Sequence, residues 1–193
     1  MHLHDILQLP FERLRARAID QLHLRLGAMV IDVGCGTGTS FPALMHTIGP
    51  QGRVVGVERN RSLLSHAQAK IDLARWRNVD LIAADATTPL FAPESVDAVL
   101  IVHANNIVLS VLAIDQIIRW LRPEGRFVAA GTQISYGVYR KLLEPTPIPS
   151  PHAPATSPND AESWTHLRDA LHSLSVEEHF RGSMYLVSGM KKR

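Results

Sequence analysis

The residues best suited to chemistry fall in a row: Asp32-Val33-Gly34-Cys35-Gly36-Thr37-Gly38-Thr39, then Glu58, then Asp85-Ala86, then His103-Ala104-Asn105-Asn106. Glycines at 34, 36 and 38 remove side chains where a backbone must turn sharply and approach a ligand. A dinucleotide turn reads G-x-G-x-x-G and sets a pyrophosphate on the following helix, whereas the third glycine here comes one position early. Glu58 lies twenty positions beyond Gly38. An acid there can accept both hydroxyls of a ribose and would repel a 2′-phosphate. Together these residues describe an adenosine-type ligand with no demand for a phosphate.

Such residues act together only if strand ends hold them, and the hydrophobic pattern supplies strands. Ala28 to Val33 is a nearly continuous apolar run, as in a parallel strand covered on both faces. Arg53 to Glu58, Val79 to Ala84, Asp97 to Val102 and Arg126 to Ala130 read as four more strands. Between them, Phe41 to Ile48, Leu63 to Ala74 and a stretch holding Leu109, Leu112, Ala113, Ile117 and Trp120 carry helical spacing. Ahead of the first strand, Phe11, Leu14, Ala18 and Leu22 mark a helix starting at Pro10, with Arg13, Arg15 and Arg17 off its apolar stripe. The alternation predicts a parallel α/β sheet.

The rhythm breaks at Pro145, where six prolines fall between positions 145 and 158, so residues 145–159 read as an extended surface loop. Trp164, Leu167, Leu171 and Leu174 then predict one more helix. Ser175 to Phe180 and Met184 to Ser188, joined by Arg181-Gly182-Ser183, predict a hairpin that closes one edge of the sheet.

Composition narrows the setting. The chain has 193 residues, 46% hydrophobic and 20% charged, which suits one globular domain over residues 1–193. A single cysteine, Cys35, excludes an internal disulfide and the multi-cysteine zinc modules, and fits a cytoplasmic setting. Twenty Lys and Arg against eighteen Asp and Glu give +2, too balanced for a general nucleic-acid binder. Apart from His103, the nine other histidines are scattered and show no metal-ligand spacing. The N-terminus has no basic segment followed by an apolar stretch, so it does not read as a signal peptide.

The combination resembles the class I S-adenosylmethionine-dependent methyltransferases over nearly the whole chain. Val30 to Gly38 looks like that family's first motif, which wraps the methionine portion of the cofactor, and Val55-Gly56-Val57-Glu58 resembles its second. Ala83-Ala84-Asp85-Ala86 is similar to its third, where the acid and the next backbone N–H face adenine. Ser95 to Val99, Leu121 to Phe127 and Tyr185 to Gly189 look like its fourth strand, the turn before its fifth and its antiparallel last strand.

The resemblance implies a Rossmann-like, doubly wound seven-stranded sheet, mostly parallel with an antiparallel last strand. Residues 1–26 would form a helix covering the cofactor crevice. It implies S-adenosyl-L-methionine as cofactor, with S-adenosyl-L-homocysteine as product. The residues expected to hold it are Asp32, Gly34, Cys35, Gly36, Gly38, Glu58, Arg59, Asp85, Ala86 and His103. Asp32 reads equally as a loop-organising acid, and Cys35 as a small filler with no nucleophilic role. Asp97 reads as a strand-start residue.

Two departures from the family pattern stand out. Glu58-Arg59-Asn60 replaces an Asp-x-Ser, with Asn60 still able to cap the next helix. His103-Ala104-Asn105-Asn106 is unlike the Asn-Pro-Pro-Tyr signature of adenine-N6 and glutamine methylases.

Methyl transfer asks the protein to place a nucleophile in line with the sulfonium methyl and to exclude water. The acceptor is therefore chosen outside the cofactor motifs. His103 is the candidate base, with Asn105, Asn106, Tyr136 and Tyr139 as candidate acceptor contacts. The expected reaction is methylation of O, N or C of a small organic acceptor. Two alternatives are phospholipid headgroup N-methylation at a membrane surface, disfavoured by the short apolar face of the first helix, and a methyltransferase fold that binds the cofactor without methylating.

Overall fold

The structure is a computed structural model that describes residues 3–132, 164–180 and 183–193, with side chains from Phe11 onward. Helix α1 (Leu3–Gln21) precedes β1 (Met29–Val33), α2 (Phe41–Ile48), β2 (Arg53–Glu58), α3 (Arg61–Ala74), β3 (Val79–Ala83) and β4 (Val96–Val102). Then come α4 (Asn105–Val108), α5 (Val111–Trp120), β5 (Leu121–Thr132), α6 (Thr165–Ala170), β6 (Leu171–His179) and β7 (Met184–Lys191). The strands form one seven-stranded sheet in the order β3-β2-β1-β4-β5-β7-β6. The first five run parallel, β7 is antiparallel to β5, and β6 is antiparallel to β7, so the expected doubly wound sheet is present.

Strand alternation divides the core into two layers. Val30, Val54, Leu100 and Val128 meet Leu14 of α1, Leu22 just after that helix, and Phe41, Leu44 and Ile71 from α2 and α3. Ile31, Val55, Val99 and Phe127, one position along each strand, meet Ile114, Ile117, Trp120 and Leu167 on the other face. The continuous apolar runs in β1 and β4 follow from cover on both faces. Trp120 and Trp164 are buried in the second layer, as core packing predicts.

Asp97 anchors the base of the sheet, as a strand-start residue. Its carboxylate accepts the Met29 N–H at 2.7 Å and pairs with Arg122 and with Arg25.

Three elements differ from the sequence pattern. Helix α1 starts at Leu3 and runs through Pro10, which is therefore an interior residue that costs the helix one N–H and crowds the carbonyl one turn before it, and not the first residue. The helix expected from Leu109 to Trp120 starts only at Val111, since Ser110 caps α5 by accepting the Ala113 N–H at 3.3 Å, and Leu109 lies in the break that follows α4. Leu171 and Leu174 belong to β6. The register shifts between His172 and Ser175 while Ser173 has φ 55°, and that bulge turns two leucines three positions apart onto one face, beside Gly189. The bulge imitates helical spacing. The proline-rich loop falls outside the described residues.

Candidate functional site

The carboxyl ends of β1 to β4 open onto a cavity of about 440 Å³. Strand order sets its polar wall: Asp85 follows β3, Glu58 ends β2, the glycine turn follows β1 and His103 follows β4. Neighbouring strands are roughly 4.8 Å apart, so four adjacent strand ends span about 14 Å. Asp32, Gly34, Cys35, Gly36, Glu58, Arg59, Asp85, Ala86, His103 and Asn106 all line this cavity.

The turn is stitched to β2, with the Gly34 and Cys35 N–H groups donating to the Val57 carbonyl at 2.8 and 3.2 Å. Gly36 has φ 55°, and a Cβ there would meet no protein atom within 4 Å, so its bare backbone leaves room in the cavity. Gly38 is the one member of the expected cofactor set that does not line the cavity; a Cβ on it would lie 2.5 Å from the Phe41 ring, so it seats α2 against the turn.

Glu58 accepts the Gly36 N–H through Oε2 at 3.3 Å and the Asn60 N–H through Oε1 at 2.8 Å. The two bonds orient the carboxylate while leaving acceptor capacity on both oxygens. Asn60 caps α3, accepting the N–H groups of Ser62 at 2.9 Å and Leu63 at 3.4 Å. Asp85 is exposed and accepts from the Thr87 N–H at 3.0 Å and the Thr87 hydroxyl at 2.8 Å. Those bonds, with the Arg59 charge, hold its carboxyl below the usual range.

Asp32 is 1% exposed, and its Oδ2 is buried with no hydrogen-bond partner. Burial pushes its pKa up to about 7, against the lowering pull of Arg15 and Ser40. Burial also raises the Cys35 thiol, helped by Asp32 and Glu58, so Cys35 stays protonated and inert as a nucleophile. His103 leaves β4 with φ 59°, its N–H donating to Ala130 at 2.8 Å. Its ring meets Phe11 edge-on at 5.1 Å, while the residue keeps a solvent-exposed face. Desolvation and the Arg15 charge lower its pKa, leaving a neutral imidazole at pH 7.

Asn105 lies off the cavity, donating to the Thr132 carbonyl at 2.7 Å and accepting from the Tyr185 hydroxyl at 2.8 Å. It ties β4's exit to β5 and β7, whereas Asn106 faces the cavity. Tyr136 and Tyr139 fall outside the described residues. Arg15, Thr37, Thr39 and Ser40 line the cavity without having been expected there. Arg15 had a partial signal as one of three off-stripe arginines; which one turns inward depends on how α1 packs against the sheet.

A family profile described as "Methyltransferase domain" matches residues 25–168. Demethylmenaquinone methyltransferase of Lactococcus lactis is 29% identical over 132 residues, covering 67% of this chain and 52% of that protein. The enzyme of the same name from Staphylococcus aureus strain JH9 is 30% identical over 140 residues, covering 68% and 57%. The chain thus spans little more than half the length of these curated relatives. A SAM-dependent methyltransferase from Aquifex aeolicus superposes with a TM-score of 0.70 at 18% identity over 99% of both chains, which shows a shared fold.

Proposed function

The chain belongs to the methyltransferase domain family, and from that premise we propose that it transfers the methyl group of S-adenosylmethionine to a small organic acceptor. One observation carries this: Asp85, Glu58, the glycine turn and His103 stand on four adjacent strand ends around a single cavity. Their chemistry fits the cofactor part by part. Asp85 and the Ala86 N–H suit adenine, Glu58 suits the ribose hydroxyls, and the unpartnered Oδ2 of Asp32 suits an ammonium. The open space in front of Gly36 suits close passage of a ligand past the backbone.

The cofactor, when bound, supplies a methyl group activated on a sulfonium. The protein orients and desolvates. Glu58, fixed by two backbone N–H groups, is preorganised to accept hydroxyl donors without a further conformational search. His103, next to the turn and unprotonated at pH 7, is the base of this reading for an acceptor hydroxyl or amine, and its pKa, lowered to about 4, makes it a weaker base than an ordinary imidazole. Asn106 and Ile107 line the cavity beside it and support an acceptor held by one polar and one apolar contact. The name shared by the curated relatives supports a quinone-like ring as that acceptor.

Titration calorimetry with S-adenosylhomocysteine is expected to show 1:1 binding, and turnover with reduced quinones is expected to release S-adenosylhomocysteine. Failure to bind would overturn the cofactor assignment. Binding without turnover on any hydroxyl, amine or carbon acceptor would overturn the reaction.

A further inference from the structure

Helix α4 is a single turn of four residues, too short to be stable on its own, because the first turn of a helix costs more than its few ladder bonds return. Two of its residues, Asn106 and Ile107, nevertheless line the cavity beside His103, on the side proposed for the acceptor. Other elements must set its rotation.

Asn105 supplies the tie, from the side away from the cavity. Its Nδ2 donates to the Thr132 carbonyl on β5, and its Oδ1 accepts from the Tyr185 hydroxyl on β7, at 2.7 and 2.8 Å. Tyr185 is fully buried and its ring packs on Trp164 with centroids 5.4 Å apart, so the hydroxyl is fixed by the core and not by a movable surface chain. Burial raises the phenol pKa, which keeps that hydroxyl protonated and donating. Gly131 makes room for the pair, since a Cβ there would collide with Asn105 Oδ1 and lie 2.8 Å from the Tyr185 hydroxyl oxygen. Toward the glycine turn, Ala104 and Ile107 sit on Gly34, where a Cβ would meet them at 2.7 and 3.1 Å. Successive helical residues point about 100° apart, so fixing Asn105 also fixes Asn106 and Ile107.

We infer that Tyr185, acting through Asn105, is a positioning residue for the acceptor: the pair sets the rotation of α4 and thereby the place of Asn106 and Ile107 in the cavity. This rests on the methyl-transfer reading above. Misplacing an acceptor by about 1 Å costs rate steeply, whereas the turn, Glu58 and Asp85, assigned to the cofactor, are held by hydrogen bonds of their own.

The test separates the acceptor from the cofactor. With a water-soluble reduced quinone as acceptor, Tyr185→Phe is expected to lower kcat/KM about 5- to 10-fold, chiefly through a higher acceptor KM, while calorimetry finds the S-adenosylhomocysteine Kd within about twofold of wild type. Asn105→Ala is expected to lower kcat/KM about 10- to 100-fold, and adding Tyr185→Phe to it should change the value by less than about twofold, because both act through one tie. Gly131→Ala, which keeps both hydrogen-bonding residues, is expected to show the same split between acceptor and S-adenosylhomocysteine. Full kcat/KM in Tyr185→Phe, additive losses in the double variant, or equal losses for acceptor and S-adenosylhomocysteine would overturn the inference and leave the pair as a fold contact. Failure of the methyl-transfer reading shows in the wild type instead: a chain that turns over no acceptor overturns that reading, and this inference with it.

Discussion

Replacing Asp32 with Asn should separate stability from binding at one buried atom. Burial raises the carboxyl from 3.8 to about 7 in the folded state, whereas in the unfolded chain it titrates near the ordinary aspartate value. Between about pH 4 and pH 7 the folded state therefore holds a proton that the unfolded state has released, and this group's contribution to stability falls as pH rises. Above the folded pKa the whole penalty is present, about 4 kcal/mol for a shift of this size.

An Asn has nearly the same shape and carries no charge. Denaturant unfolding of the ligand-free protein is expected to show Asp32→Asn more stable than wild type at pH 8, with the difference growing by about 2–3 kcal/mol between pH 5 and pH 8. Taking the difference cancels His103 and His166, whose lowered pKa values act in the opposite direction. The same variant is expected to bind S-adenosylhomocysteine at least about tenfold more weakly, because the ligand ammonium loses its anionic partner. A pH-independent stability difference would refute the desolvated carboxyl, and unchanged affinity would refute its role toward a cation.

Three further variants probe other parts of the site and its frame. Glu58→Ala should cost S-adenosylhomocysteine about 2–3 kcal/mol of affinity by calorimetry, since it removes the ribose acceptor and strands the Gly36 and Asn60 N–H groups; an unchanged Kd would reassign the residue. Asp97→Ala should lower unfolding free energy by about 2–3 kcal/mol through loss of the Met29, Arg122 and Arg25 contacts. Its S-adenosylhomocysteine affinity should hold, and a matching loss would mean that the base of the sheet is coupled to the cavity. His103→Ala should reduce kcat about 100-fold for acceptors that must lose a proton, with S-adenosylhomocysteine affinity nearly unchanged. Full turnover in that variant would leave His103 as cavity lining only.

Local features were legible because local physics produces them. The apolar runs of β1 and β4 could sit only in a doubly covered sheet, and Asn60 was recognisable as a cap from its place before α3. Where spacing misled, a non-local effect was responsible. Leu167, Leu171 and Leu174 kept helical intervals, yet a bulge against β7 converts the last two into strand positions. Pro10 looked like a helix start because its cost is local, while the helix before it continues.

The site divides along the same line. Asp32, the glycine turn, Glu58 and Asp85 are each set by a strand and the turn that ends it, so their types and intervals determined where they would stand and the ligand chemistry they offer. Tertiary packing decided the rest. It turned Asn105 away to bind Thr132 and Tyr185 while Asn106 stayed on the cavity. It seated Gly38 against Phe41, and it rotated α1 until Arg15, and not Arg13 or Arg17, reached the Asp32 end. Spacing along a helix defines a stripe, but the angle at which that stripe meets a sheet depends on the side chains of other strands, which a local pattern does not contain.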